Sequence, residues 1–441
     1  MYHLAWFQGC GLPPWDHNID GPFVGNVARE WATGENFSDL ARALERGCFT
    51  FLLMEDTTQV DDHFGGTAEV ALKRGFFSPK HDPFPMSLKM AMATKHIGFA
   101  PTISSSFYHP WAAARLLTTL DHLTAGRIGM NVVTSTQHNA AKNFGMDALP
   151  PKEVRYEVAN EWCEVFRQLE DAWEEDALLI DYDTGYYADY RKVHTIDFKG
   201  KYYSSRGPLN HIPGPQRHVP MVEAGNSPAG RDLAAHYADA LIGNCLTIAE
   251  MKELIADMET RVMGHRRNPD DFKVMFLCEP VVAETDDEAK RRHEKIMKAR
   301  SEPPNIEWMR FYLDLVVPSI DFAKIDLEMT VAEFKKLTTD PQMVSIVDKI
   351  FRVPDETTFR EVLATRGPML DLGLIGSPET VARKMDEIME EVGGGGFLFN
   401  APAGRRAVVE ICDGLCPALQ RRGSIRTGYE HKTFRENLLA Y

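Results

Sequence analysis

The chain has 441 residues, 44% of them hydrophobic, so it can bury a large core in one big domain or in two ordinary ones. Its formal net charge of −15 argues against a nucleic-acid-binding surface, which would be basic. No apolar run approaches the roughly 18 residues that a membrane helix needs, and the N-terminus lacks the features of a secretory signal. The seven cysteines, an odd number scattered along the chain, indicate free and mostly buried thiols in a cytoplasmic protein.

Segments typical of strands alternate with segments typical of helices along the chain. The predicted strands, in order, are HLAWF, CFTFLLMED, HIGFAPTIS, RIGMNVVTS, VPMVEAGN, ADALIGN, DFKVMFLCEPVVAE and GGFLFNAPA. Because helix candidates such as NFSDLARALERG and WAAARLLTTLDHL follow the strands, we predict an α/β fold. It is a single (β/α)8 TIM barrel spanning 1–441, with insertions near 58–92, 174–216 and 298–370. The middle insertion contains a hairpin-like segment, IDFKGKYYSS, with its turn at Lys199-Gly200.

Polar residues collect where the predicted strands end, which in such barrels is the face that carries chemistry. The fourth strand ends TSTQHN and the eighth ends FNAPAG. Asn131 lies inside the apolar fourth strand, where an unpaired amide would cost about 1–3 kcal/mol, so a partner is expected. Asp121 and Arg127 flank the opposite end of that strand, and we predict that they form a structural ion pair.

The segment VEAGNSPAGR combines Gly225, the N-cap candidate Ser227 and Pro228 at the first helical position. Such a start directs several N–H groups and the helix dipole at one point, which suits a phosphate. An ordinary helix cap explains the motif equally well. The usual motifs of metal, serine and P-loop enzymes are absent from the sequence, so the polar strand ends suit a cofactor that brings its own reactivity.

Several segments, in family order, resemble the bacterial-luciferase-like flavin monooxygenases, in the branch of nitrilotriacetate, dibenzothiophene-sulfone and long-chain-alkane monooxygenases. The matching segments are FYHPWAAAR, TTLDHLTAGRIGMNVVTS, KNFG, RYEVANEW, VHTIDFKGKYYSSRGPLN, VEAGNSPAGRDLAAHYAD and GSPETVARKM. The resemblance implies a barrel that receives reduced FMN (FMNH2) from a separate NAD(P)H:flavin reductase. It also implies that O2 is the co-substrate, and that a flavin C4a-(hydro)peroxide oxygenates a small organic substrate.

The same resemblance assigns cofactor contacts residue by residue. Asn131 matches the asparagine that faces the isoalloxazine ring, and Thr102 and Asp56 match positions beside it. The positions matched to the ribityl-phosphate end are Lys152, Arg155, Tyr156, Asn226 and Ser227.

The chain departs from the family pattern at three points. Thr136 stands where a histidine is expected, Lys152 replaces a histidine before the Arg-Tyr pair, and Glu223 replaces a glutamine before the phosphate loop. The late insertion also lacks a recognisable family motif, so the resemblance does not carry over a substrate.

Three residues are candidates for catalytic roles, each with a plainer alternative. His138 is a possible proton donor, Cys10 could lie by the flavin edge or pack in the core, and His109 could reach the reacting oxygen or cap its helix. Aromatic residues could line an apolar pocket or belong to the core; these are Trp6, Phe7, Phe64, Tyr108, Trp308 and Phe311. They favour an aromatic or heterocyclic substrate.

Two alternative functions stay open on the sequence. A deazaflavin-dependent oxidoreductase on the same barrel would not turn over with FMNH2 and O2, and a non-catalytic flavin-binding protein would retain FMN tightly through purification. We expect a homodimer or homotetramer.

Overall fold

Eight parallel strands close into a barrel in the computed structural model, which describes residues 1–11, 31–245, 247–316, 320–337, 353–365, 372–401 and 404–441. The strands are His3–Gly9 (β1), Phe51–Glu55 (β2), Gly98–Ser104 (β3), Met130–Val133 (β4), Met221–Glu223 (β5), Ala240–Gly243 (β6), Lys273–Cys278 (β7) and Gly396–Phe399 (β8). Each pairs with the next in chain order, and β1 pairs with β8, which closes the ring. The predicted TIM barrel is confirmed, with every predicted strand in place.

Helices follow the strands and pack around the ring. They are Glu35–Arg46 (α1), Glu69–Arg74 (α2), Pro83–Met92 (α3), Pro110–Leu123 (α4), His138–Asn143 (α5), Lys152–Asp171 (α6), Pro228–Tyr237 (α7), Ile248–Gly264 (α8), Asp286–Arg300 (α9), Pro303–Val316 (α10), Val331–Phe334 (α11), Phe359–Thr365 (α12), Pro378–Val392 (α13), Arg405–Val409 (α14), Cys416–Arg421 (α15) and Phe434–Leu438 (α16). Proline opens several of them because its missing N–H needs no acceptor there. Among the described helices, none is both long and apolar enough to cross a bilayer.

The register of the parallel strands decides which side chains face the barrel interior. Thr102 on β3 lies opposite Asn131 on β4, which lies opposite Val222 on β5. Paired residues of neighbouring parallel strands point to the same side, and Val222 belongs to the apolar cluster inside the ring. Asn131 and Thr102 therefore project into the interior, beside each other on β4 and β3.

The amino ends of the strands are closed by the last helix. Phe434 is fully buried among the interior side chains and its ring centre lies 5.2 Å from that of Phe51. A Cβ at Gly98 or Gly129 would lie within 2.5 Å of this ring, so both positions need glycine. The polar carboxyl ends are thus the open end of the barrel.

The predicted insertions differ from their expected form in two details. Helix α3, at the end of the predicted 58–92 segment, packs on β3 and is the barrel's own second helix rather than part of an insertion. In the 174–216 segment, Phe198–Lys199 pairs with Ser204–Ser205, so the predicted hairpin forms with a turn longer than Lys199-Gly200.

The remaining parts of the first and third insertions share a second hydrophobic core. Phe64 and Phe76 pack against Phe311 and neighbouring residues of α10, apart from the barrel core. The two segments are also joined by hydrogen-bonded ion pairs, His63–Asp314 at 2.5 Å and Arg74–Glu307 at 2.7 Å. Both insertions leave the barrel at carboxyl ends of strands, so they build up the open face.

The predicted ion pair between Asp121 and Arg127 is wrong, although both residues are structural. The Asp121 carboxylate accepts hydrogen bonds from the backbone and side-chain nitrogens of Gln216 at 3.1 and 2.6 Å. The Arg127 guanidinium donates to the carbonyls of Thr124 and Ala91. Each charge is satisfied by neutral polar groups, and the distant ones, Gln216 and Ala91, could not be recognised from local spacing.

Candidate active site

The Asn131 amide lies in the interior wall of the barrel, oriented by its neighbour on β3. Its Nδ2 donates to Thr102 Oγ1 at 2.8 Å, and the Thr102 hydroxyl donates in turn to the Met54 carbonyl at 2.7 Å. Because the hydroxyl proton is committed to Met54, Thr102 can only accept from Asn131. This relay fixes which way the amide points.

The Asn131 Oδ1 atom is buried and has no hydrogen-bond partner among the described residues. The residue is only 5% exposed, so an empty acceptor there carries a desolvation cost of about 1–3 kcal/mol. Buried acceptors in native proteins are almost always satisfied. The orphaned oxygen is therefore suited to accept a hydrogen bond from the N–H group of a ligand.

The loop after β5 forms a narrow cradle at the start of α7. A Cβ at Gly225 would lie 2.7 Å from Glu223 Oε1 and 2.8 Å from the Tyr156 hydroxyl oxygen, and one at Gly230 would lie 2.5 Å from the Gly225 carbonyl oxygen. Only glycine fits at either position. Ser227 caps the helix, since its hydroxyl oxygen accepts from the Gly230 N–H at 3.3 Å.

The same loop offers N–H groups to an anion. Asn226 uses its side chain to hold the loop, donating to the carbonyls of Ala224 and Ile242 at 3.0 and 3.1 Å. Within the described part of the chain, the backbone N–H groups of Asn226 and Ser227 have no acceptor. With the dipole of α7 behind them, they suit a phosphate.

Helix α6 brings a cation and a phenol to this loop. Arg155 Nε is buried without a partner among the described residues, and its Nη1 makes only a 3.4 Å contact with the Pro150 carbonyl. Burial lowers the pKa of the Arg155 guanidinium, and it stays charged. The Tyr156 hydroxyl lies within hydrogen-bonding reach of Ser227 and Thr134. Lys152 begins the same helix.

Glu223 lies beneath the cradle with its carboxyl group almost fully buried. Its Oε2 accepts from the Gly225 N–H at 2.8 Å. Burial raises the pKa of this carboxyl to about 7, and hydrogen bonds from the Gly225 and Ala224 backbone oppose the rise. The sequence identified Glu223 only as a substitution for glutamine, because its burial depends on the packing of α6.

The end of β2 carries two acidic residues, Glu55 and Asp56, beside the buried Lys80. Lys80 Nζ donates to Glu55 Oε2 at 2.5 Å, and the lysine side chain is 7% exposed. Burial raises the pKa of Asp56 to about 7 despite the nearby Lys80 charge. Sequence reasoning missed Lys80, which lies in an insertion far along the chain from its partner.

The structure places the three catalytic candidates at different positions. Cys10 is fully buried and burial raises the pKa of its thiol, so the thiol stays protonated at neutral pH. His109 is exposed and caps α4, where its Nδ1 accepts from the Trp111 N–H at 3.2 Å. His138 begins α5, and its side chain lies outside the described part of the structure.

The aromatic candidates also separate into groups. Trp6 is fully buried and packs on Phe49 outside the barrel interior, so of its two alternatives the core is the one that the structure shows. Phe64 and Phe311 are buried in the second core with the partly buried Trp308. Trp308 lies 5.4 Å, centre to centre, from the Phe77 ring.

Together these features suit an elongated ligand with an imide-like N–H at one end and a phosphate at the other. FMN has this form, and the buried Asn131 oxygen and the two-glycine cradle fit its ring edge and its phosphate. Among the described residues, there is no group of three side chains that could hold a metal ion. The fold and the buried polar groups of this site are compatible with a flavin-type oxidoreductase on a (β/α)8 barrel.

Comparison with known proteins assigns the family. Residues 23–395 match the model of the luciferase-like monooxygenases. The chain is 31% identical over 413 residues to the dimethyl-sulfide monooxygenase of Hyphomicrobium sulfonivorans, covering 92% of this chain and 83% of the relative. It is 32% identical over 428 residues to the long-chain alkane monooxygenase of Geobacillus thermodenitrificans, covering 94% and 91%.

A solved structure agrees with these matches. The crystal structure of DmoA from Hyphomicrobium sulfonivorans superimposes with a TM-score of 0.86 at 29% identity, covering 100% of this chain and 92% of that one. The chain belongs to the luciferase-like monooxygenase family, as the sequence motifs indicated. Membership confirms the expected enzyme class, an FMN-dependent monooxygenase that uses reduced FMN and O2.

Proposed function

We propose that this protein is the oxygenase of a two-component system: it takes reduced FMN from a separate NAD(P)H:flavin reductase and transfers one atom of O2 to a small organic compound. The observation that carries the proposal is the orphaned Asn131 Oδ1 inside the barrel. An acceptor at that depth suits the N3–H of the isoalloxazine ring. The family's enzyme class supplies the chemistry.

The residues of the chain hold the cofactor from both ends. Asn131 accepts from the ring, and Thr102 keeps the amide in the orientation that makes this possible. At the other end, Arg155 and the N–H groups of Asn226 and Ser227 neutralise the phosphate. Bound reduced FMN provides the electrons that activate O2, and the apolar interior wall around Asn131 keeps bulk water from the ring.

The surroundings of the open face favour an uncharged, aromatic or heterocyclic substrate. The half-buried rings of Phe77 and Trp308 offer apolar surface where the insertions meet. The buried Lys80 ammonium is already neutralised by Glu55, so this pair does not supply a free cation for a polycarboxylate.

The proposal is tested by turnover in the presence of a reductase. The protein, FMN, NADH and a flavin reductase are incubated under 18O2 with uncharged thioethers, alkanes and aromatic heterocycles, and with polycarboxylates as the contrasting class. We expect one 18O atom in the product of an uncharged compound, dependent on both the reductase and FMN. Failure to oxygenate any compound when FMNH2 binds, with turnover seen on a reduced deazaflavin instead, would overturn the proposal.

A further inference from the structure

Glu223 places an ionisable group directly beneath the site proposed for the FMN phosphate. Its Oε2 binds the N–H of Gly225, the first residue of the cradle, and its Oε1 lies 2.7 Å from the position a Gly225 Cβ would take. The Glu223 carboxyl group thus contacts the backbone of the loop that is proposed to bind the dianionic FMN phosphate. The residue is 4% exposed, so water does not screen the two groups from each other.

The groups packed around Glu223 do not compensate a negative charge. Helix α6 presents Tyr156 and Cys163, and burial raises the pKa of both, that of Cys163 to about 12, so both are neutral near pH 8. The neighbouring strands β4 and β6 place apolar Val132 and Leu241 beside it in register. Arg155, the cation beside Tyr156 on α6, is the group that the phosphate itself would engage.

We propose that Glu223 controls FMN affinity through its protonation state: the neutral carboxylic acid permits phosphate binding in the cradle, and the carboxylate opposes it. This inference rests on the proposed function. An FMN phosphate has a second pKa near 6, so it is dianionic above pH 7. Burial already raises the pKa of Glu223 to about 7 in the free protein, and a nearby dianion raises it further. FMN binding above pH 7 therefore takes up a proton.

The sign of the pH dependence follows from this linkage. Below pH 7 Glu223 is mostly neutral before FMN arrives, so binding costs little. As the pH rises the free protein loses that proton, and FMN affinity falls by up to about tenfold per pH unit. Riboflavin has no phosphate, so its affinity stays constant over the same range.

The test compares the wild type with Glu223→Gln, which keeps the shape and the acceptor for Gly225 but does not ionise. Dissociation constants for FMN and riboflavin are measured by flavin fluorescence from pH 6.5 to 9. We expect FMN affinity of the wild type to fall with pH, that of Glu223→Gln to stay within about twofold, and the variant to bind FMN more tightly than the wild type at pH 8.5. Parallel pH profiles for the two proteins would overturn the inference.

Calorimetry of the wild type alone gives a second readout that does not depend on the variant folding. At pH 8, FMN binding in two buffers of different ionisation enthalpy should reveal uptake of about one proton, and riboflavin binding none. FMN binding without proton uptake contradicts the role of Glu223 and leaves the proposed function standing. Absence of FMN and FMNH2 binding at every pH contradicts the proposed function itself.

Discussion

Asn131 is a polar residue in an apolar strand, and it carries the proposed position of the flavin ring. The sequence predicted that its amide needed a partner, because an isolated buried amide is costly. In the structure, the Asn131 Nδ2 donates a hydrogen bond to Thr102, whereas Oδ1 has no donor among the described residues. The sequence alone could not predict which atom of the amide is paired, because the pairing depends on the register of β3 against β4.

Replacement of Asn131 by leucine should weaken the binding of both FMN and riboflavin. Leucine has a similar size but offers no acceptor, so the ring N3–H is buried unpaired, at a cost of about 1–3 kcal/mol or roughly 5- to 150-fold in affinity. Flavin fluorescence titration measures the change. Asn268→Leu, at the amino end of β7, is the matched control and should bind both flavins as the wild type does. Unchanged affinity in Asn131→Leu would remove this residue from the site.

Replacement of Arg155 by glutamine should weaken the binding of FMN but not the binding of riboflavin. The buried Arg155 Nε has no hydrogen-bond partner among the described residues, so it is available to a ligand. A charge-assisted hydrogen bond is worth about 1.5–3 kcal/mol. FMN affinity should fall about 10- to 150-fold while riboflavin affinity does not change. Arg115→Gln, on the exposed face of α4, should affect neither. An equal loss for both flavins would show that Arg155 acts on the fold and not on the phosphate.

Individual residues also show where local sequence reasoning fails. Trp6 is an aromatic residue in the middle of β1, and it faces the helices and not the barrel interior. Asp121 and Arg127 have opposite charges and lie close in sequence, yet each is satisfied by neutral groups. The side of the strand on which Trp6 lies and the distant hydrogen-bond partners of Asp121 and Arg127 depend on the whole fold. A short segment of sequence does not determine either of them.

At the scale of secondary-structure elements, the strands were predictable because each is short, apolar and bounded by polar residues. The positions of the insertions were predicted, but their packing was not, because it depends on contacts between segments more than two hundred residues apart. The His63–Asp314 pair is such a contact. Asp314 also accepts from the Phe322 N–H, so the pair connects the first insertion with two parts of the third.

The contact between the insertions should loosen as the pH rises. The hydrogen bond with Asp314 raises the pKa of His63, and the neighbouring Asp61 and Asp321 act in the same direction. A raised folded-state pKa means that the stabilisation is fully present below about pH 6.5, the unfolded value, and is lost as the pH passes the folded value. Hydrogen exchange of residues 59–78, corrected for intrinsic rates, should show more opening at pH 8.5 than at pH 6.

His63→Gln provides the comparison for this measurement. Glutamine can hydrogen-bond with Asp314 but does not ionise, so opening of the segment in the variant should not depend on pH. If the wild type and the variant respond to pH in the same way, another group governs the opening.

At the scale of the whole molecule, the barrel has one end for stability and one for chemistry. Phe434 closes the amino end with apolar packing, and the carboxyl end holds Asn131 and the phosphate cradle. The family and the barrel could be predicted from motifs in chain order. The titration of Glu223 and the Lys80–Glu55 pair could not, because burial and long-range pairing create them.

Removal of the Phe434 ring should destabilise the molecule without altering cofactor binding. The ring is fully buried, so Phe434→Ala should cost about 3–5 kcal/mol in the free energy of unfolding, measured with denaturant. Phe144→Ala, which removes a ring that is 42% exposed, should cost much less. FMN affinity of folded Phe434→Ala should match the wild type, and a large loss of affinity with intact stability would contradict this separation of roles.

The central claim is the position of the cofactor, and a crystal structure of the protein with FMN tests it most directly. We predict the edge of the isoalloxazine ring within hydrogen-bonding distance of Asn131 Oδ1, and the phosphate at the N–H groups of Asn226 and Ser227 beside Arg155. A phosphate bound at the loops after β7 or β8, or a ring that leaves Asn131 Oδ1 unpaired, would contradict the account.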